Sequence, residues 1–264
     1  MQTCLLFFIA SVVGGAINAI AGGGGLITFP LLMLVGGPLT ADATSAVAGF
    51  ASYPTALWRT RSLLRGVIGA GWLWLLLIPS VAGGLIGALL LVHTGNRNFV
   101  EFVPWLVLVA TMIVAMRPLL VDAKEEEELK PAFGPMLWSV AIASIFVVAL
   151  YGGYFGAGIG ILMIGALTFI LPGEIRRVVA VKNFLNGFMR GVAVLVLVLK
   201  GNVDWHYGAP MAMGGLIGGY VGGILSHRAN RTAVRWTVVG IGLAVSGHYF
   251  WKLYAQSLMH IGGE

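Results

Sequence analysis

The sequence predicts an all-α polytopic membrane protein of about 8–10 membrane helices, on three observations. The first is composition. Of 264 residues 58% are apolar and 10% charged, against about 25% charged in a soluble domain, and mean hydropathy is +0.93. So few polar side chains cannot cover a soluble fold of this length. The second is run length: a membrane helix needs about 20 apolar residues, and such runs recur along the whole chain. The third is a pair of glycine strings, each placed between a full apolar run and a short one. A single cysteine, Cys4, excludes a disulfide scaffold, and the 39 glycines follow no collagen period.

In chain order, Leu5–Ala21 is a first span. It leads through Gly22-Gly23-Gly24-Gly25 into the short run Leu26–Val35. Together they are too long for one crossing at about 1.5 Å per residue, so they read as a full span and a short glycine-started helix. Ala41–Trp58 follows, with Asp42 at its end. Val67–Val92 holds 26 residues without a charge, and Phe99–Met116 has only Glu101. Ala132–Phe155 leads through Gly156-Ala157-Gly158-Ile159-Gly160 into the short run Ile161–Leu171. Val178–Leu199 contains Lys182 and Arg190, and Val203–Ser226 and Thr232–Trp251 complete the set. No Lys or Arg precedes the first apolar run, so a cleaved signal is not expected.

The two glycine strings superpose on a shift of 135 residues, which puts Gly23 on Gly158 and Gly25 on Gly160. The same shift puts Gly83-Gly84-Leu85-Ile86-Gly87 on Gly218-Gly219-Tyr220-Val221-Gly222. One offset that matches separated places implies duplication. The expected organisation is a first transmembrane repeat over 1–120, a cytoplasmic acidic linker over 121–131 and a second repeat over 132–264. Doubled halves with broken helices are a transporter signature. Orientation follows from Lys and Arg near the membrane. Five crossings per half place eleven of the 16 basic residues on one side, Arg59, Arg61, Arg176 and Arg177 among them. Three (Arg97, Lys200, Lys252) then fall on the other side. One crossing per glycine pair splits them only 8 to 6. The first arrangement makes the halves inverted, since five is odd. Glu125 to Glu128 read as a solvated linker rather than a metal site.

Polar residues inside the spans are the candidates for function, because an ionised side chain at the bilayer centre costs about 2.5–3.5 kcal/mol on insertion scales. Lys182, Asn186 and Arg190 are spaced i, i+4, i+8 and share one helix face, with Asn183 beside them. Such a cationic and amide stripe suits an anion path. Against it, Lys182 could snorkel to the cytoplasmic surface and Arg190 could pair with an acid elsewhere. In the first half Thr44 and Ser45 offer hydroxyl donors, or else bond their own helix. Asn18 needs a partner in its apolar helix, which another helix can supply. The strings Gly22, Gly23, Gly24, Gly25 and Gly156, Gly158, Gly160 open short helices, whose N-termini attract anions. Glycine lets a backbone approach such a ligand closely. The competing reading, close helix packing through small residues, is preferred for Gly83, Gly87, Gly218 and Gly222.

Enzyme patterns (HExxH, CxxC, GxSxG, Walker A) are missing. The five histidines show no ligand spacing, so no metal, cofactor or catalytic residue is expected. The net charge of +6 is accounted for by cytoplasmic loops and does not call for nucleic acid.

The segment from Gly14 to Leu32, with its glycine string and Pro30, resembles the opening motif of the sulfite exporter TauE/SafE family. Ala43-Thr44-Ser45 and Trp58-Arg59-Thr60-Arg61 fit its continuation. Gly156-Ala157-Gly158-Ile159-Gly160 and Val181-Lys182-Asn183 resemble its second half. Ala21 and Ile159 depart from it, standing where the family usually has glycine. The resemblance spans nearly the whole chain. It implies a secondary transporter of the bacterial inner membrane for sulfite, sulfonates or related small anions.

The expected function is therefore a permease that moves such an anion by alternating access, driven by a proton or the membrane potential. A passive anion channel and a non-transporting membrane subunit are the rivals. Glycine-rich faces permit a homodimer without requiring one. Lys182→Ala is expected to reduce transport without reducing expression.

Overall fold

The computed structural model describes residues 2–20, 22–64, 71–116, 135–170, 175–225 and 231–261. The acidic linker, with Glu125 to Glu128, lies outside these residues, as does Ala21. Among the described residues the chain forms ten helices and no strand. They are α1 (Gln2–Ile20), α2 (Gly25–Leu32) and α3 (Pro38–Leu64), then α4 and α5 (71–94 and 96–115) as the two arms of Gly71–Ala115. After them come α6 (Pro135–Tyr154), α7 (Ile159–Ile170), α8 (Ile175–Leu199), α9 (Trp205–Leu225) and α10 (Arg231–Ile261).

Local chemistry explains the breaks. Gly95, at φ 67 and ψ 173, bends the chain between α4 and α5 in a conformation open essentially to glycine alone. The next residue, Asn96, accepts the Leu39 N–H at 2.9 Å, so this bend also caps the start of α3, which opens on Pro38. Proline suits a first helical position because its missing N–H would find no partner there. At α9, Asp204 precedes the helix and its Oδ1 accepts the His206 N–H at 2.9 Å, an N-cap bond. Gly201, at φ 69, closes α8, with the Asn202 N–H on the Leu197 carbonyl.

Four described helices are long and apolar enough to cross a membrane: Thr3–Ile20, Gly71–Asn96, Arg176–Leu199 and Trp205–Leu225. Their outward faces carry large apolar side chains, among them Leu5, Ile9, Ile78, Leu89, Leu195 and Ile217. This is the arrangement a lipid solvent requires. α3 is long, at 27 residues, yet too polar to qualify. The reason is placement. Every residue from Ala41 to Ala48 is buried, so this stretch of α3 meets protein on all sides, and the helix can carry Asp42, Thr44, Ser45 and Ser52 inward.

α3 and α8 form the centre and pack on each other. Around them the partners exchange. α1 packs on α9 as α6 packs on α4, and α3 packs on α9 as α8 packs on α4. α2 lies on α3 as α7 lies on α8. Glycines make these approaches close. A side chain at Gly218 would meet the Val12 carbonyl, one at Gly219 the Ser52 carbonyl, and one at Gly87 the Leu150 carbonyl. The packing role expected for Gly83, Gly87, Gly218 and Gly222 is what these contacts show.

Candidate functional site

The two glycine strings meet backbone to backbone. The Cα hydrogens of Gly22 face Gly160, and a Cβ at Gly25 would lie 3.3 Å from the Ala157 Cα. These two contacts interchange under the 135-residue offset. The strings also end their parent helices alike. The Gly22 N–H donates to the Ile17 carbonyl at 3.0 Å and the Gly156 N–H to the Tyr151 carbonyl at 3.2 Å. Both glycines have positive φ, 83 and 72, the left-handed cap that ends many helices. These pairs differ by 134 residues, and the starts of α3 and α8 (Pro38, Ile175) by 137. The single offset read from the sequence therefore slips by small insertions at each turn.

Ending in this way leaves the Asn18 and Gly152 carbonyls without their usual i+4 partners. α8 supplies substitutes. Lys182 Nζ donates to the Asn18 carbonyl at 3.0 Å, and Arg190 Nη1 to the Gly152 carbonyl at 2.9 Å. Each cation lies at a helix C-terminus, where the backbone dipole favours positive charge. Lys182 is 0% exposed and Arg190 5%, so Lys182 does not snorkel and α8 buries both charges. The guanidinium of Arg190 also lies against Gly156, in the space a side chain there would fill.

Beside this crossing is a narrow cavity lined by Ser11, Asn18, Thr28, Ser45, Tyr53 and Arg190, with Gly24, Gly25 and Gly156. It has room for little more than a water: the centre of a water-sized sphere can move through about 20 Å³ of it. Several of its polar side chains already have partners. Thr28 and Ser45 share a hydrogen bond of 2.6 Å, and Asn18 Nδ2 donates to Ser52 Oγ at 2.9 Å. The helix-to-helix bond expected of Asn18 is thus present, and Asn18 lines the cavity as well. The Tyr53 phenol sits beside the amides of Asn18 and Asn186, without closing a hydrogen bond of ordinary length to Asn186.

The residues singled out from the sequence therefore separate. Asn18, Gly24, Gly25, Ser45, Gly156 and Arg190 line the cavity. Lys182 stands behind Asn18, bonded to its carbonyl. Asn183 and Asn186 are buried on α8, and Asn183 Oδ1, Asn186 Oδ1 and Asn186 Nδ2 have no hydrogen-bond partner. Thr44 is elsewhere, its hydroxyl accepting the Asp204 N–H at 3.1 Å. Gly22, Gly23, Gly158 and Gly160 shape the crossing without lining the cavity.

The amide cradle expected at the short helices is smaller than the strings suggest. The Leu26 and Ile27 N–H groups bond the Gly23 and Gly24 carbonyls, and the Ile161 N–H bonds Gly158. Side chains, more than open helix ends, supply the polar lining. Ser11, Thr28, Tyr53 and Asp42 were not among the residues singled out. The signal for two of these residues, Asp42 and Tyr53, was available: 42, 45, 49 and 53 follow one face of α3 at helical spacing. Among the described residues no cluster of three or more His, Cys, Asp or Glu could hold a metal.

An all-α bundle with lipid-suited outer faces and buried cations at a broken-helix crossing is a multi-pass membrane protein of transporter type. The family model for the sulfite exporter TauE/SafE family matches residues 6–249. The chain belongs to that family. A probable membrane transporter protein of Haemophilus influenzae is 27% identical to it, over 97% of this chain and 96% of that protein. The probable membrane transporter protein YfcA of Escherichia coli K12 is 26% identical, over 97% and 92%. The probable membrane transporter protein YunE of Bacillus subtilis is 24% identical, over 85% and 89%.

Proposed function

We propose that this transporter moves a small anion, sulfite or an organosulfonate, across the bacterial inner membrane by alternating access. The observation that carries the reading is the buried face of α8. Lys182, Asn186 and Arg190 lie one turn apart on it, and both polar atoms of the Asn186 side chain lack partners. A native interior leaves few buried polar atoms unsatisfied, and those it leaves call for a missing water, ion or ligand. Guanidinium, amide N–H and hydroxyl groups are all donors to an oxyanion.

The cavity in this conformation is too narrow for a sulfonate, so binding requires the strings or their helices to separate. The exchanged packing of α1–α5 and α6–α10 supports two repeats that move against each other. Counting each short helix as a crossing, five per set makes one repeat inverted relative to the other.

Purified protein should be stabilised against heat by sulfite or by sulfonates such as sulfoacetate and taurine, and less by sulfate, thiosulfate or simple carboxylates. In liposomes it should show saturable counterflow. Stabilisation by none of these anions would refute the reading. Conductance that does not saturate would favour a channel.

A further inference from the structure

Among the described residues three acidic or basic side chains are buried: Asp42, Lys182 and Arg190. The two cations have visible structural duties at the ends of α1 and α6. Asp42 has none. It is 2% exposed, and its Oδ2 has no hydrogen-bond partner. It stands on the face of α3 that continues through Ser45, Gly49 and Tyr53 into the cavity lining.

The charged and titratable groups around Asp42 are few. From α8 the Arg190 guanidinium acts on it, and from α6 the Tyr151 phenol lies within its field. Asp204 stands on the turn before α9 that Thr44 holds, followed by His206 and Tyr207. α2 carries no titratable residue, α1 carries only Cys4, and the α4–α5 bend packed on the start of α3 carries His93, Arg97 and Glu101 in its sequence.

We propose that Asp42 is a proton-binding site of the carrier, whose carboxyl takes up a proton when the cavity takes up an anion. This rests on the anion-transport reading above. With Asp42 ionised, its charge offsets that of Arg190 and repels an incoming anion. With Asp42 protonated, the charge of Arg190 is uncompensated, and an anion entering beside it restores the balance. In a water-poor interior this difference is weakly screened. Each ligand then raises the affinity for the other by the same factor. The proton comes from water on the side to which the cavity opens, and it returns to water on the other side with the anion. One proton and one monovalent anion cross together, without net charge.

The test measures methanesulfonate and sulfoacetate affinity of the full-length protein in detergent between pH 5.5 and 8.5, where neither probe changes charge. In the wild type the affinity should fall with rising pH, approaching about tenfold per unit on the alkaline limb, the limit for one linked proton. Asp42→Asn should flatten this dependence and Asp42→Glu should keep it. In lightly buffered solution near neutral pH, adding either probe to the wild type should also raise the pH by proton uptake. This second measurement does not depend on the Asn variant folding. Binding without pH dependence or proton uptake would overturn the role of Asp42 and leave the anion reading standing. A full slope in Asp42→Asn would do the same. Binding of neither probe at any pH would refute both.

Discussion

Gly156 leaves open the space into which the Arg190 guanidinium folds, and its φ of 72 is one that side chains rarely adopt. Gly156→Ala therefore adds backbone strain of about 1–3 kcal/mol and pushes the guanidinium from the Gly152 carbonyl. A lowered melting temperature together with weakened anion binding is the expected outcome, measured by thermal shift with and without sulfite. Lys182 calls for a different comparison. The sequence reading expects Lys182→Ala to impair transport alone, but the ammonium also holds the Asn18 carbonyl. Lys182→Met leaves that buried acceptor unpaired at a cost of about 1–3 kcal/mol. Its melting temperature should fall well below that of Lys182→Arg, which keeps a donor. Equal stabilities for the two variants would show that the bond contributes little.

At the scale of the helix, glycine decides which faces approach. α9 meets α1 and α3 through Gly214, Gly215, Gly218 and Gly219, each with a neighbouring backbone carbonyl in the place of its absent side chain. Gly240 of α10 has nothing within 4 Å of its missing Cβ. Gly218→Ala should force α9 away from Val12 and lower the melting temperature by several degrees. Gly240→Ala should be neutral or stabilising by up to about 1 kcal/mol, since alanine is the better helix former. The packing role of Gly218 was legible from its recurrence with Gly222. The partners α1 and α3 were not, because glycine spacing names a close approach without naming the helix that makes it.

Across the whole molecule, the functional question is whether the crossed strings separate during transport. A Cβ on Gly25 would lie 3.6 Å from the Ala157 Cβ, within the span a disulfide bridges. Gly25→Cys with Ala157→Cys, in a Cys4→Ser background, should therefore cross-link on oxidation. If alternating access opens this crossing, oxidation should abolish counterflow in liposomes and dithiothreitol should restore it. Full flux through the oxidised protein would place the moving elements elsewhere. The two helix sets meet at this crossing, where Gly22 meets Gly160 and Gly25 meets Ala157.

Much of this architecture is written in composition and local order. Apolar runs of set length, glycine strings and the one-face spacing of Lys182, Asn186 and Arg190 are properties of neighbouring residues, and they imply helices, breaks and a buried polar stripe without reference to the rest of the chain. The destinations of the polar atoms are not local. Lys182 reaches a carbonyl 164 positions away, Arg190 reaches one on a different helix, and Thr44 turned from the cavity to hold the start of α9. Asp42 reads as a residue near a membrane surface until its stretch of α3, from Ala41 to Ala48, is seen enclosed on every side. A buried polar group is satisfied by whatever the fold brings within hydrogen-bond reach. Sequence therefore determined which side chains must find partners inside the membrane, and only tertiary packing decided which partners they found.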